Sequence, residues 1–278
     1  MRRPEVFRIR AALLSAAFLF AATLAGCAGP DGFGGSRQAV EEWAQPRGFV
    51  PLPGGPAALP MLALARGQAA AVLHVYIEGD GAAWPSPFHP PRDPTPDRPV
   101  ALALAAQDAA PAVVYLGRPC QYLSAEAMHD CPLKYWTSHR FAPEVLDAYR
   151  QTLDVLKART GATELRLFGY SGGGVLATLL AMSRTDVVQL VTIAAPLSVA
   201  EWTSWHQVTP LTESLDPGMQ GGSLPRAVHF VGGKDAVVPP DVVRGFARRS
   251  GGRLRSVDDF DHQCCWSRDW RRLLEETQ

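Results

Sequence analysis

"ELRLFGYSGGGVLATLLAM", residues 164–182, runs from an apolar segment through a glycine-rich turn into a second apolar segment. The first segment is typical of a buried strand and the second of a helix. Ser171 lies between Gly169 and the glycines at 172–174, so the turn can be sharp without crowding by side chains. The first N–H groups of the helix would then point toward any negative charge that develops at Ser171.

The segment GYSGG fits Gly-x-Ser-x-Gly between a strand and a helix, and in this it resembles the nucleophile turn of the α/β-hydrolase family. The resemblance implies that Ser171 is a nucleophile. A glycine-rich phosphate loop or a simple tight turn could also place a serine among glycines. No lysine follows as in a Walker loop, and the Gly-x-Gly-x-x-Gly spacing of dinucleotide-binding folds is missing, so the sequence favours the nucleophile.

A serine hydroxyl needs a base that accepts its proton and an acid that orients this base, and the family supplies them in the order serine, acid, histidine. GGKDAVVP is similar to the family's pattern for the acid and contains Asp235, while His262 follows the last predicted strand. The resemblance therefore implies a triad of Ser171, Asp235 and His262. The alternative interpretation is that Asp235 only caps a helix and that His262 is an ordinary surface residue. Three nearby aspartates are the alternative orienting acids: Asp258, Asp259 and Asp261.

A hydrolase of this kind also needs two N–H groups that stabilise an oxyanion. The resemblance implies Gly172, next to the nucleophile, and a residue after the third strand. That strand is followed by EGDG, so the N–H of Asp80 is the expected second donor. An acidic side chain here opposes a developing anion unless it is neutralised or turned away, and we predict that Arg118 pairs with Glu78 or Asp80. The alternative is that both acids are solvated loop residues.

Short apolar runs alternate with helical patterns from about residue 48 to the end of the chain. Several runs are continuous, which is typical of strands buried on both faces of a parallel sheet. Segments 142–161 and 239–252 have helical spacing between leading prolines and trailing glycines. The expected fold is α/β, with a mostly parallel central sheet flanked by helices as in the α/β-hydrolase fold, in one domain over 48–278. RGQA, residues 66–69, is expected to form a hairpin-like turn between two strands.

The first ten residues carry four arginines and one glutamate, and an apolar stretch of about fifteen residues follows. This stretch is shorter than the roughly twenty residues of a spanning helix and is typical of an export signal, with a membrane-anchor helix as the alternative. LAGC, ending at Cys27, resembles the lipobox of bacterial lipoproteins. The resemblance implies a signal peptide over 1–26, a lipid anchor on Cys27, and sorting to the outer membrane, facing the periplasm, because Ala28 is not an aspartate. Residues 27–47 are expected to form a flexible, glycine-rich tether.

The charge of the chain argues against nucleic acid as a partner. The 278 residues have no formal net charge, and loss of the three net positive charges in the first 26 would leave −3. The arginines are scattered rather than arranged in a basic stripe. The expected partners are a small-molecule ester and, through the lipid anchor, a membrane. No cofactor or metal ion is expected, and the protein is expected to be a monomer.

Four cysteines lie beyond Cys27 and would be expected to pair in an oxidising compartment. The preferred bridge joins Cys120 to Cys131, because it closes a short loop without strong periodicity. Cys264 and Cys265 could bridge each other, remain free or bridge elsewhere. A zinc site is the alternative, but the sequence contains no Cys-x-x-Cys pair.

Residues 197–224 lie between the sixth and seventh predicted strands, where the family often inserts a lid. The segment is short for a full cap, so an open site suited to soluble or medium-sized esters is expected. Trp202, Trp205 and His206 either line the substrate pocket or cover the sheet edge. The expected function is a serine hydrolase that cleaves carboxylic esters through an acyl-enzyme intermediate. The alternatives are a peptidase or amidase with the same triad and a non-catalytic, envelope-binding lipoprotein.

Overall fold

The central element of the protein is a β-sheet, which this computed structural model describes with its surrounding helices over residues 33–82 and 89–278. The strands are β1 (Val50–Gly54), β2 (Met61–Gly67), β3 (Val72–Ile77), β4 (Ala112–Leu116), β5 (Glu164–Tyr170), β6 (Val187–Ile193), β7 (Arg226–Gly232) and β8 (Arg253–Val257). Their spatial order is β1-β2-β4-β3-β5-β6-β7-β8. The pairs β1·β2 and β2·β4 are antiparallel, and every other neighbouring pair is parallel.

The predicted hairpin-like turn between β2 and β3 is wrong. β4 lies between these two strands, since Val114 pairs with Ala65 of β2 on one side and with Val75 of β3 on the other. After β2 the chain leaves the sheet at Gly67, whose φ is +100°, and the N–H of Gln68 donates to the carbonyl of Pro111 at 3.0 Å. β3 is buried on both faces, so a central position between two parallel neighbours suits it better than a hairpin.

Helices cover both faces of the sheet. They are α1 (Arg37–Ala44), α2 (Val100–Ala105), α3 (Ala125–His129), α4 (Pro143–Thr160), α5 (Gly172–Ser183), α6 (Val199–Trp205), α7 (Pro240–Ser250) and α8 (Trp266–Glu275). As predicted, α4 and α7 begin at a proline and end before a glycine with positive φ, Gly161 and Gly251 respectively. The predicted α/β class, a mostly parallel sheet flanked by helices, is confirmed.

The two faces of the sheet have separate apolar cores. On one face, the side chains of α4 and α5 pack against alternate residues of β3 and β5, among them Val75 and Leu167. On the other face, Tyr76 and Phe168 pack with Trp270 of α8 and with residues of α1 and α2. Each large side chain buried in this way stabilises the fold by roughly 1.5–3 kcal/mol. A rigid sheet buried on both faces therefore supports the loops at its carboxyl edge.

The predicted tether over 27–47 is wrong from residue 33 onward. Helix α1 begins after Ser36, whose hydroxyl accepts a hydrogen bond from the N–H of Ala39 at 3.1 Å. Val40 and Ala44 lie one helical turn apart and are buried in the core, so this segment belongs to the folded body. The predicted signal peptide 1–26, the lipidation site Cys27 and the first part of the tether lie outside the described residues.

The connection between β6 and β7 carries little secondary structure. Residues 194–225, all of them described, contain α6 and a 3-10 turn at Pro217–Met219, so the fold has no large cap in this place. Among residues 33–82 and 89–278, no helix is both long enough and apolar enough to cross a membrane.

Candidate active site

The turn between β5 and α5 holds Ser171 in a conformation that few non-glycine residues adopt, with φ 49° and ψ −126°. Its N–H donates to the carbonyl of Ile193 in β6 at 2.8 Å. A β-carbon at Gly169 would lie 2.4 Å from the carbonyl oxygen of Gly173, which only glycine avoids. The glycines quoted from the sequence thus permit the sharp turn that presents the serine hydroxyl at the carboxyl edge of the sheet.

Ser171, His262 and Asp235 form a continuous line of hydrogen bonds. The Nε2 atom of His262 lies 3.1 Å from the Ser171 Oγ atom, and its Nδ1 atom lies 2.9 Å from Asp235 Oδ2. The serine precedes α5, the aspartate follows β7 and the histidine follows β8. Because parallel strands end at one edge of a sheet, residues far apart in the chain meet there.

Asp235 has a fully buried side chain with three hydrogen-bond partners. Its Oδ1 atom accepts from the N–H groups of Val237 at 2.9 Å and Val238 at 2.7 Å, which leaves Oδ2 for His262. The alternative acids bind elsewhere: Asp259 pairs with Lys234, Asp258 accepts from Ser256, and Asp261 accepts from the backbone of Gln263 and Cys264. The geometry therefore selects Asp235 as the orienting acid.

The loop that carries His262 is held through the backbone carbonyl of this residue. Tyr170 donates its hydroxyl proton to that oxygen at 3.0 Å, and Trp266 donates its indole N–H at 2.9 Å. The sequence predicts neither contact: Tyr170 is 92 residues from His262, and although Trp266 is only four residues away, no motif marks its indole as a donor to this carbonyl.

Asp80 lies against the nucleophile turn. A β-carbon at Gly172 would be 2.1 Å from Asp80 Oδ1, so the carboxylate occupies the space next to this glycine. Arg118 donates to Asp80 Oδ1 at 2.6 Å, and Arg140 donates to Oδ2 at 2.9 Å. Burial raises the pKa of Asp80, but the charges of Arg140 and Arg118 outweigh burial and hold this pKa below its usual value. The structure thus pairs Arg118 with Asp80, and Arg140 is a second partner that sequence analysis missed.

Glu78 is buried directly before this loop and binds backbone N–H groups instead of an arginine. The N–H of Gly79 donates to its Oε1 atom at 2.9 Å, and the N–H of Ala101 donates to Oε2 at 3.1 Å. Burial raises the pKa of Glu78 to about 7, although these N–H groups oppose the shift. Neither acid is a freely solvated loop residue: Glu78 is 1% exposed, and the side chain of Asp80, 31% exposed, is bound by two guanidinium groups.

Two of the three candidate pocket residues contact the turn that follows Asp235. Trp202 donates its indole N–H to the carbonyl of Val237 at 2.7 Å, and His206 Nε2 lies 2.8 Å from the same oxygen. Trp205 is 58% exposed. Within the described ranges, none of the hydrogen bonds or ring contacts of these side chains involves Ser171 or His262, so their role in a pocket stays a prediction.

Both pairs of cysteines form disulfides. One joins Cys120 to Cys131, whose Cα atoms are 5.9 Å apart, as the sequence favours. The other joins the adjacent residues Cys264 and Cys265, directly before α8. The first lies close in sequence to Arg118, one of the two arginines that bind Asp80, and the second lies in the His262 loop.

No protein-family model and no curated protein sequence matches this chain. Solved structures do match. An esterase of Pyrococcus furiosus, Pf2001, shares 12% identity and a TM-score of 0.59, covering 84% of this chain and 93% of its own. XC6422 of Xanthomonas campestris, described as an α/β serine hydrolase without a lid, shares 14% identity and a TM-score of 0.55, covering 83% and 92%. Mouse α/β-hydrolase domain-containing protein 10 shares 13% identity and a TM-score of 0.55, covering 82% of this chain and 96% of its own. Together with the strand order, these likenesses show that the chain has the α/β-hydrolase fold.

Proposed function

We propose that this protein is a serine hydrolase that cleaves carboxylic esters through an acyl-enzyme intermediate. The observation that carries the proposal is the line of hydrogen bonds from Ser171 through His262 to Asp235. A serine is a poor nucleophile without a base in contact, and a base acts well only when its ring is oriented. The turn presents Ser171 to His262, and the buried carboxylate of Asp235 orients the imidazole, so the nucleophile has a base in contact and the base has a fixed ring.

In the first half of the reaction, Ser171 Oγ attacks the ester carbonyl while His262 Nε2 accepts the hydroxyl proton. Asp235 holds the imidazole by Nδ1 and stabilises the imidazolium that forms. The N–H groups of Gly172 and Asp80 stabilise the oxyanion of the tetrahedral intermediate. The carbon–oxygen bond to the alcohol then breaks, and the imidazolium returns its proton to the leaving alcohol.

In the second half, a water molecule attacks the acyl-enzyme while His262 accepts its proton. Collapse of the second tetrahedral intermediate breaks the bond to Ser171 Oγ, which regains a proton from the imidazolium. The products are a carboxylic acid and free enzyme. The net positive charge of the group formed by Asp80, Arg118 and Arg140 favours the oxyanion in both halves.

The lack of a large cap between β6 and β7 supports an open site for soluble esters. The similar structure Pf2001 is an esterase by name, which supports an ester over an amide as substrate, and XC6422 is a serine hydrolase without a lid by name, which supports an open site. The test is labelling with a fluorophosphonate probe. We expect label on the wild type and none on Ser171→Ala. A folded wild type without label contradicts the proposal and favours a non-catalytic binding protein. Among labelled outcomes, faster hydrolysis of aminoacyl amides than of nitrophenyl esters identifies an amidase.

We further propose that the protein is exported and anchored at the cell envelope by a lipid on Cys27, facing the periplasm. The sequence LAGC and the apolar stretch before it support this location. Two disulfides in the folded body also suit an oxidising compartment. Growth with an alkyne-bearing fatty acid should label the wild type and leave Cys27→Ser unlabelled. A wild type without label contradicts the anchor.

A further inference from the structure

Gln121 lies beneath the loop that carries the expected second oxyanion donor. The residue is 1% exposed. Its Nε2 atom donates to the carbonyl of Gly79 at 3.1 Å and to that of Pro94 at 3.3 Å, while its Oε1 atom accepts from the N–H of Arg118 at 3.0 Å. An amide turned the other way would set its oxygen against two carbonyls, so these partners fix its orientation.

The backbone on both sides of Gln121 is in an unusual conformation. Cys120 has φ 71° and Tyr122 has φ 63°, a region that side chains rarely adopt. The disulfide to Cys131 holds one side, and a hydrogen bond of 2.7 Å from the N–H of Tyr122 to Thr95 Oγ1 holds the other. Non-glycine residues stay in this region only where the surroundings hold them there, and they concentrate at functional sites. The chain is therefore bent so that a single buried amide faces the 78–81 loop.

The bond to Gly79 fixes the direction of the Asp80 N–H. The carbonyl of Gly79 and the N–H of Asp80 belong to one planar, trans peptide unit, in which they point in opposite directions. Gln121 holds the carbonyl on its own side of the loop. The other side faces the nucleophile turn, because a β-carbon at Gly79 would lie 3.2 Å from Ser171 Cβ and the Asp80 carboxylate touches Gly172.

We propose that Gln121 is a positioning residue, which aims the N–H of Asp80 at the oxyanion by holding the carbonyl of Gly79. The inference rests on the proposed function, because an oxyanion donor matters only to a reaction that forms an oxyanion. Gln121 does not touch the reacting atoms. It acts through the peptide between residues 79 and 80.

The arginines restrain a different part of the same loop. Arg118 and Arg140 hold the carboxylate of Asp80, which leaves the preceding peptide free to rotate about its own axis. Gln121 removes that freedom. Gln121 is also joined to Arg118, since the backbone N–H of Arg118 donates to its Oε1 atom. The arginines thus fix the side chain of Asp80, and Gln121 fixes its backbone N–H through the carbonyl of Gly79. Loss of the arginine contacts should change the charge near the oxyanion, whereas loss of the Gln121 contact should change the direction of the N–H.

The test compares Gln121→Glu and Gln121→Met with Gln189→Met. The glutamate keeps an acceptor for the N–H of Arg118 but loses the donor to Gly79, and the methionine loses both. Gln189 is the matched control, a buried glutamine that donates to the carbonyl of Thr277, near the start of β6 and away from the triad. Active-site titration with a fluorophosphonate gives the amount of folded enzyme in each sample. The measurements are kcat and KM for a nitrophenyl ester and the inhibition constant of a trifluoromethyl ketone, whose adduct carries an oxyanion.

We expect both Gln121 variants to lose about 10- to 100-fold in kcat while KM changes by less than about threefold. The affinity for the ketone should fall by the same factor as kcat/KM, because only the adduct uses the donor. Gln189→Met should keep both values within about twofold. If the methionine variant does not fold, the glutamate variant decides the result.

Unchanged kcat and ketone affinity in the Gln121 variants, beside an active wild type, overturn the positioning role alone. So does an equal loss in Gln189→Met, because it would trace the effect to stability. A folded wild type that neither binds the fluorophosphonate nor hydrolyses the ester is a different result, which removes the proposed function and this inference with it.

Discussion

The carboxylate of Asp80 and the α-carbon of Gly172 are in direct contact, and a β-carbon at residue 172 would lie 2.1 Å from Asp80 Oδ1. Two arginines hold this carboxylate in place, so it cannot move aside freely. The contact ties the loop after β3 to the first residue of α5. The two expected oxyanion donors therefore lie on segments that touch each other.

Gly172→Ala should lower kcat by about 100-fold or more, because the new methyl group displaces the Asp80 loop and with it one donor. The fold should persist, since the clash involves a side chain at the edge of the sheet. Ester hydrolysis and circular dichroism measure the two effects. Gly221→Ala is the control, because no atom lies within 4 Å of a β-carbon there. Equal activity of the two variants would contradict the contact.

Arg140→Gln should lower kcat about tenfold, because one guanidinium remains against the carboxylate of Asp80 and the net positive charge beside the oxyanion is lost. Adding Asp80→Asn restores that net charge through Arg118. We therefore expect the double variant to be more active than Arg140→Gln alone, measured as kcat on one ester. A double variant that is no more active than Arg140→Gln would show that charge is not the reason.

Trp202→Phe and His206→Ala should each lower kcat several-fold with little change in KM, because each removes a contact to the carbonyl of Val237, next to the backbone N–H groups that hold Asp235. Trp205→Ala serves as the comparison, since this side chain is largely exposed. If these residues line the substrate pocket instead, KM rises for all three variants and depends on the length of the acyl chain.

The disulfide between Cys120 and Cys131 should contribute about 3 kcal/mol to the free energy of unfolding, because it closes a loop in the unfolded chain across a sequence separation of 11. Urea titration of the double variant Cys120→Ala/Cys131→Ala measures this loss. The bridge between Cys264 and Cys265 closes almost no loop, so Cys264→Ser/Cys265→Ser should cost much less stability. Equal losses would contradict the entropic account.

His229 should make the fold sensitive to acid. Burial lowers the pKa of His229 to about 4, whereas in the unfolded chain the pKa returns to about 6.5. As pH falls below 6.5, the unfolded chain gains a proton that the folded protein lacks, so the stability present at neutral pH is lost. We expect a loss of about 2 kcal/mol between pH 7.5 and pH 5 that His229→Leu does not show. Parallel curves of unfolding free energy against pH for the wild type and His229→Leu would contradict the assignment of this loss to His229.

The sequence predicts the elements of this fold better than their pairing. Continuous apolar runs mark most of the strands, but they do not tell which strands are neighbours, so β4 came to lie where a hairpin was expected. β1, with two prolines in five residues, gives no strand signal. The glycine-rich segment before residue 36 predicts no helix, and within α1 only Val40 and Ala44 are fully buried, with Trp43 packed against the same core.

The sequence likewise predicts some residues of the candidate site and misses others. The sequence predicts Ser171, Asp235 and His262 because each follows a strand, in the chain order serine, acid, histidine, and the structure brings them together. Arg140 and Gln121 were missed because they act on residues 60 and 42 positions away, through contacts that only the folded chain creates. Local motifs reveal the groups that react and, in Arg118, one of the groups that hold them, whereas Arg140 and Gln121 are recognised only in three dimensions.

Tyr170 immediately precedes the serine, and its hydroxyl binds the backbone of His262. The histidine loop is therefore fastened to the end of the strand that presents the nucleophile. When thermal motion displaces β5, the two partners of the proton transfer are carried along together. Their separation thus depends on a few short contacts at one end of the sheet, and far less on the many elements that lie between them along the chain.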